Sequence, residues 1–446
     1  MTTPTMSWFS IVRMGLVQTA LGSIVVLTTS TINRVMVVEL SLAAMIPGVL
    51  VTLHYALQFL RPRWGHGSDV GGRRTPWIIG GMAILALGGA GAAVATALLT
   101  YNFYAGFALA VLAFTLVGVG VGATGTNLLT MLATHVASER RAAAATIVWM
   151  MMIAGFIVTT ITAGSFLDPF TPTRLVAVAS AVSALAFLVA IAALYNLEDS
   201  NQPVPAGQAL DAPATKPSFR QSFGEVWNEA APRRFAIFIF VSMLAYSMQD
   251  LILEPFAGIV FGMTPGQSTK LAGLQNGGVF AGMLMVALAT NPRIAIGSLR
   301  TWTVAGCWAS AAALLALVTA GMTADVVSLK TAAFGLGFAN GAYAVAAIGS
   351  MMALAASGRQ KREGMRMGIF GAAQALSFGA GGFLGTLAVD VLRRVVEMPG
   401  TAYAIVFAIE AGLFALAAML AVKATSPADD RATGNHSTAN QVGAHV

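Results

Sequence analysis

The stretch LVAVASAVSALAFLVAIAALY, from Leu175 to Tyr195, contains no charged residue. About 20 apolar residues in a helix span the hydrocarbon core of a bilayer, whereas barrel strands are about half as long and alternate in polarity. This run is continuous, so it predicts a transmembrane α-helix. Similar runs along the chain bring the number of predicted spans to twelve, at residues 11–32, 42–60, 77–99, 104–134, 143–165, 175–195, 234–262, 268–290, 301–321, 327–356, 366–392 and 402–423.

The composition supports lipid as the solvent. Of 446 residues, 57% are hydrophobic and 10% are charged, against roughly 25% charged in an average soluble domain. The net charge of +7 does not indicate nucleic acid, because the basic residues fall in short loops between apolar runs. Met1 to Trp8 has no Lys or Arg, which argues against a cleaved signal peptide. The single cysteine, Cys307, allows no intrachain disulfide.

The distribution of Lys and Arg predicts the orientation, since cytoplasmic loops carry the excess of these residues. The richer set of loops holds Arg61, Arg63, Arg73, Arg74, Arg140, Arg141, Lys216, Arg220, Arg233, Arg234, Arg293, Arg300, Arg359, Lys361, Arg362 and Arg366. The opposite set holds Arg34, Arg174, Lys270, Lys330, Arg393 and Arg394. We therefore expect both termini in the cytoplasm and an even number of spans.

The chain divides into two similar halves. Arg61-Pro62-Arg63 follows the second span and Asn291-Pro292-Arg293 follows the eighth, so equivalent loops recur six helices apart. We predict an N-terminal six-helix bundle at 1–195, a proline-containing cytoplasmic linker at 196–233, a C-terminal bundle at 234–423 and a disordered cytoplasmic tail at 424–446. The linker could carry a short amphipathic helix at Phe219 to Trp227.

The loop from Gly65 to Arg74 resembles the cytoplasmic signature of the major facilitator superfamily. Its pattern is a glycine, three residues, an aspartate, two residues and Gly-Arg-Arg, with Val70 where the signature has a basic residue. The resemblance implies an all-α major facilitator fold, with twelve transmembrane helices in two six-helix halves. It also implies a gating loop that contains Gly65, Asp69, Gly72, Arg73 and Arg74. The alternative is a basic turn that only fixes topology.

The seventh span carries charges at an unusual position. In Gln249-Asp250-Leu251-Ile252-Leu253-Glu254-Pro255, Asp250 and Glu254 share a helix face and Pro255 should bend the helix. Charges within a span usually face a cavity or a partner. With Arg61-Pro62 and the segment from Asn33-Arg34 to Glu39, this element resembles the bacteriochlorophyll-delivery family, the PucC/LhaA-like light-harvesting assembly proteins. The alternative places both carboxylates in water at the periplasmic end.

Pigment-binding candidates follow from that resemblance. They are Asp250, Glu254, Gln249, Arg34, His54 and Asn127. His54 is the only intramembrane histidine and could ligate magnesium, although such a residue is more often packed in a core. Asp390 and Glu410 are further cavity candidates. Gly118, Gly120, Gly122 and Gly125 could line a cleft for a flat macrocycle or could serve close helix packing.

The resemblance implies a membrane assembly factor that binds or delivers bacteriochlorophyll, or recruits its synthase, for light-harvesting complexes. Its partners would be pigment, light-harvesting subunits, possible synthase contacts and the bilayer of a bacterial inner (intracytoplasmic) membrane. No cofactor is required and bacteriochlorophyll is possible cargo. The chain has no phosphate-binding loop and no second acidic cluster for a diphosphate, so we expect no enzyme. The alternatives are a proton-coupled secondary transporter of a hydrophobic or amphipathic substrate and an accessory subunit of the synthase.

Overall fold

The computed structural model describes residues 6–60, 73–136, 140–198, 224, 227–290, 294, 296–356 and 363–424. Within these residues no strand occurs and twelve helices cross the molecule. They are α1 (Trp8–Glu39), α2 (Met45–Ala56), α3 (Thr75–Leu99), α4 (Phe103–His135), α5 (Arg141–Phe166), α6 (Pro172–Leu194), α7 (Ala230–Phe261), α8 (Pro265–Ala289), α9 (Leu299–Thr323), α10 (Val326–Ala356), α11 (Glu363–Val395) and α12 (Pro399–Ala424). Eleven are long and apolar enough to span a membrane, and the shorter α2 continues as a 3-10 helix, Leu57–Leu60.

The ends of the helices follow the hydropathy runs closely, with one informative exception. The first span was predicted to end at residue 32, but α1 continues to Glu39 through two widened π-helical turns, Leu27–Thr31 and Val35–Glu39. The expectation that Arg34 lies in a loop was wrong, because this arginine is buried within the helix. α7 begins at Ala230, and the predicted linker helix lies mostly outside the described residues.

Helix packing repeats between the two halves. α1 packs on α5 and α6 as α7 packs on α11 and α12, and α3 packs on α4 and α6 as α9 packs on α10 and α12. Between the halves, α2 packs on α11 and α5 packs on α8, which are equivalent pairs in the repeat. Two six-helix bundles therefore meet around a pseudo-twofold axis. We call the end that holds Met6 and Ala424 the near end, and the opposite end the far end.

Small residues set the closest approaches. A Cβ atom on Gly120 would lie 2.6 Å from the backbone nitrogen of Leu85 in α3, and one on Gly118 would lie 2.8 Å from the carbonyl oxygen of His54 in α2. These two glycines serve helix packing rather than a cleft. Gly125 differs, since a Cβ there would have no neighbour within 4 Å.

Two aspartates join the halves at the far end in reciprocal fashion. Asp390 of α11 accepts hydrogen bonds from the backbone nitrogens of Ala44 (2.9 Å) and Met45 (2.7 Å) at the start of α2. Asp168, just after α5, accepts from the backbone nitrogen of Gly266 (3.2 Å) and the hydroxyl of Thr264 (2.7 Å) at the start of α8. Each carboxylate satisfies unpaired N–H groups and lies at the positive end of a helix dipole. The caps therefore fasten each bundle to the other.

These caps should control how readily the far end opens. In a Thr31→Cys reporter, whose site is 1% exposed between the halves, we expect Asp168→Ala with Asp390→Ala to raise the rate of thiol labelling. Each cap contributes about 1 kcal/mol, which corresponds to an increase of roughly 30-fold for the pair. Cys307 is buried, so it contributes little background.

The control variant is Asp325→Ala, which removes a cap at α10 that stays within one half. Equal labelling of the reporter thiol in the double-cap variant and in this control would show that the caps do not hold the far end closed.

Candidate functional site

The two bundles interlock where α1 meets α7. Pro255 has no N–H, so the carbonyl of Leu251, four residues earlier, loses its helical donor. The side-chain amide of Asn33 in α1 donates to this carbonyl at 2.7 Å, and Asn33 is fully buried. An unpaired carbonyl is costly where no water reaches it. The proline of the seventh span and the asparagine of the first therefore form one structural unit.

Arg34 lies next to this contact and is 1% exposed. Its guanidinium donates to the carboxylate of Glu39 and to the carbonyl of Met263, each at 2.5 Å. Met263 lies just past the end of α7. Arg34 in the N-terminal half therefore reaches the end of α7 in the C-terminal half. A Cβ on Gly258 would approach its guanidinium to 3.0 Å, which explains a small residue there. A buried charge is tolerated here because it is paired.

Glu254 completes a sealed layer between the bundles. Its carboxylate is 2% exposed and accepts a hydrogen bond from the hydroxyl of Ser30 in α1. The next residue of α1 after Ser30 is Thr31, whose hydroxyl lies 3.1 Å from the hydroxyl of Thr269 in α8. This contact adds α8 to the layer. Glu254 is therefore not in water at the far end.

Asp250 has a different environment although it lies one turn from Glu254 on the same helix face. Its side chain is exposed, whereas the neighbouring Gln249 and Leu251 are buried. Asp250 is eleven residues before the end of α7, hence about 16 Å below the far end at 1.5 Å per residue. It is also within electrostatic range of Glu410 in α12. α7 contacts α1 through residues 27–39 of α1. Asp250 shares the helix face that Glu254 presents to α1, but its side chain is exposed. It therefore faces a space between the two halves on the near-end side of this contact, and we call this space the cleft.

The other predicted site residues lie apart from this opening. His54 is 1% exposed in α2, with its Nε2 atom 3.4 Å from the amide nitrogen of Gln58 and its ring edge against Tyr55. Asn127 is fully buried and donates to the carbonyl of Ala123 in its own helix at 2.8 Å. The structure does not bring His54 to the exposed face that carries Asp250.

The predicted gating loop is described only at its end. Gly65, Asp69 and Gly72 lie outside the described residues, whereas Arg73 is exposed and Arg74 is buried. Sequence reasoning missed Glu198, which follows α6 and accepts from the backbone nitrogens of Arg74 (2.9 Å) and Thr75 (2.8 Å) at the start of α3. Burial alone would raise the pKa of Glu198, but these hydrogen bonds outweigh it and hold the pKa below its usual value.

A cavity of about 640 Å³ occupies the far end, beyond the sealed layer. Arg34, Glu39, Asp168 and Gly258 are among its lining residues. The Asn33–Leu251 and Ser30–Glu254 contacts separate it from Asp250. The far-end cavity and the exposed Asp250 therefore lie on opposite sides of one contact layer.

The architecture is the major facilitator fold. A crystal structure of a bacterial homologue of the human lysosomal transporter Spinster, inward-facing and unoccupied, superposes with a TM-score of 0.65 at 16% identity, over 94% of this chain and 98% of that one. A D-xylose-proton symporter gives a TM-score of 0.67 at 14% identity, with the same two coverages. These similarities confirm the predicted fold and carry no information on cargo.

The chain belongs to the PUCC protein family, whose profile matches residues 31–428. It is 50% identical to the bacteriochlorophyll synthase 44.5 kDa chain of Rhodobacter capsulatus, over 94% of this chain and 95% of that protein. It is 28% identical to Protein PucC of Cereibacter sphaeroides, over 91% and 90% of the two chains. The family predicted from Asn33-Arg34 and the seventh span is confirmed.

The link between Pro255 and Asn33 can be measured as a coupling. Asn33→Ala should destabilise the protein by about 1 kcal/mol, the scale of polar contacts between membrane helices. In a Pro255→Ala background the cost should be close to zero, because residue 255 then supplies the N–H that Leu251 lacks. A double-mutant cycle on the free energy of unfolding measures this difference.

Asn127→Ala is the matched control, since Asn127 bonds only within its own helix and its effect should add to that of Pro255→Ala. Strict additivity for the Asn33 pair as well would rule out the proposed unit.

Acidification should loosen the start of α3. Because the folded-state pKa of Glu198 is lowered, its cap contributes stability above the unfolded-state pKa and loses it as the pH falls through the folded-state value. We expect Glu198→Gln to lower the melting temperature at pH 7 but to flatten its decline between pH 6 and pH 3, about the range around a carboxyl pKa. An unchanged pH profile in the variant would contradict this role.

Proposed function

We propose that this protein is a membrane assembly factor that binds bacteriochlorophyll and passes it laterally to light-harvesting subunits. The observation that carries the proposal is Asp250, a carboxylate near mid-membrane whose side chain is exposed one helical turn from the buried Ser30–Glu254 contact. Charged groups at this depth are costly and mark binding sites or pathways. The cleft is thus closed to one side of the membrane and available to ligands from the other side or from the bilayer.

The relatives support the choice of cargo. One similar protein is named as a chain of bacteriochlorophyll synthase and others are named Protein PucC. A pigment with a long isoprenoid tail is almost insoluble in water, so a carrier for it should work within the bilayer. A cleft between two helical bundles meets that requirement without passage through water.

Asp250 can serve such a cargo in two ways. Its oxygens are hard ligands of the kind that magnesium prefers, and they can accept hydrogen bonds from polar substituents. Gln249 is fully buried beside it, and neither its amide nitrogen nor its oxygen has a hydrogen-bond partner among the described residues. The amide of Gln249 is therefore a second polar group without a partner in the described part of the chain, next to Asp250 in α7.

We propose no catalytic role for the chain itself. Prenyl transfer to a pigment requires a held diphosphate, and the sequence offers one acidic pair, Asp250 and Glu254, without a second acidic cluster. An accessory role, in which the protein receives pigment from the synthase, is compatible with the name of the relative. Consistent with the distribution of Lys and Arg, the near end would face the cytoplasm.

Glu410 favours a second candidate, proton-coupled transport. It is fully buried in α12, neither of its oxygens has a hydrogen-bond partner among the described residues, and it lies within electrostatic range of Asp250. Carboxyl groups inside a membrane bundle commonly mark proton relays. Substrate-dependent proton flux in vesicles that is lost in Asp250→Asn would favour this candidate.

The pigment proposal is tested by purification from a pigment-producing host. Bacteriochlorophyll should copurify with the protein, and Asp250→Asn should lower the amount bound at a fixed pigment concentration, with an affinity loss of about tenfold for one charge-assisted contact of ~1.4 kcal/mol. Absorption of the extracted pigment per mole of protein gives the measurement.

The control is Glu397→Gln, which removes an exposed carboxylate from the far-end loop outside the cleft and should leave pigment binding unchanged. Protein that carries no bacteriochlorin and copurifies with neither synthase nor antenna subunits would count against the proposal. In a deletion strain, lost antenna absorption with pigment synthesis intact is expected, whereas lost pigment would indicate a biosynthetic role.

A further inference from the structure

A second cavity, of about 400 Å³, lies at the far end away from the cleft. It is formed by the end of α7 and the first turns of α8 and α10. Its lining residues include Phe261, Lys270, Leu271, Leu274, Val326 and Lys330. Since α8 and α10 both begin at the far end, this groove lies at the level where the membrane meets water.

Two of the few basic residues on this side converge on the groove. Lys270 belongs to α8 and Lys330 to α10, and both are exposed. Neither forms an ion pair or a hydrogen bond with any residue in the described part of the chain. The carboxylates of Asp168 and Asp325, at the starts of α8 and α10, accept hydrogen bonds in helix caps. The groove therefore presents two cations without a salt-bridge partner.

Each lysine has an exposed apolar side chain one turn deeper on the same helix face. Leu274 follows Lys270 by four residues and is 38% exposed, and Phe334 follows Lys330 by four and is 39% exposed. Deeper still, α8 and α10 close on each other, since a Cβ on Gly278 would lie 2.2 Å from the carbonyl oxygen of Phe334. The groove therefore has two lysines at the membrane surface and apolar side chains deeper in the membrane, where it narrows between α8 and α10.

We propose that this groove binds an anionic phospholipid, with its phosphate between Lys270 and Lys330 and its acyl chains over Leu274 and Phe334. Lysines at the membrane surface attract anionic headgroups, by about 1 kcal/mol for each lysine. The apolar residues at acyl-chain depth distinguish this site from one for a free anion, because a soluble phosphate would leave them uncovered. Neither the cleft nor Asp250 takes part, so the proposal is independent of the proposed cargo.

The test uses the full-length protein in detergent, titrated with phosphatidylglycerol or phosphatidylcholine and read by native mass spectrometry. The unmodified protein should retain phosphatidylglycerol in preference. Lys270→Gln with Lys330→Gln should lower that affinity roughly fivefold per lysine, with no change for phosphatidylcholine. Melting temperatures establish that the variants are folded.

The matched control is Arg393→Gln with Arg394→Gln, which removes the same charge from the same end outside the groove. An equal loss in this control, or an unchanged preference in the lysine variant, would overturn the proposal. So would competition by glycerol phosphate at the same concentration as the lipid, because that result describes an anion site without acyl-chain contacts.

Discussion

Pro255 leaves the carbonyl of Leu251 without a helical donor, in a region where water cannot supply one. The side chain of Asn33 fills that place across the boundary between the bundles, at 2.7 Å. The neighbouring Ser30–Glu254 and Arg34–Met263 hydrogen bonds follow from the same approach of α1 to α7. The N–H that Pro255 lacks in α7 therefore helps to set the position of α1. The sealed layer between the bundles depends on this Asn33–Leu251 hydrogen bond.

A pair of helix caps, one from each half of the repeat, supports the sealed layer. Asp168 and Asp390 occupy equivalent places in the two halves, and each caps a helix of the other half. Both caps lie at the far end, so each adds to the contacts that hold the two bundles together there. The structure represents the arrangement in which the far end is closed and Asp250 is exposed.

Membership of the PUCC family and a fold shared with transporters give complementary information. The fold supplies two bundles that meet along one surface, while one relative is named as a chain of bacteriochlorophyll synthase. A lateral carrier needs such a surface more than it needs a continuous channel. The sealed layer between the cleft and the 640 Å³ far-end cavity fits the proposed carrier, which would be loaded and unloaded from one side or from the bilayer.

The sequence by itself determined the spans, their number and the family, because bilayer thickness imposes helix length and each helix satisfies its own backbone. It also singled out Asn33-Arg34 and the segment from Gln249 to Pro255, but as separate motifs. Only the tertiary structure showed that they touch, that Arg34 is buried within α1, and that Asp250 and Glu254 differ in exposure. The sequence likewise did not reveal the helix caps formed by Asp390 and Glu198, because their partners lie 346 and 124 residues away in the chain. Hydropathy is a local property, whereas the partner of a buried polar group is chosen by how the two bundles pack.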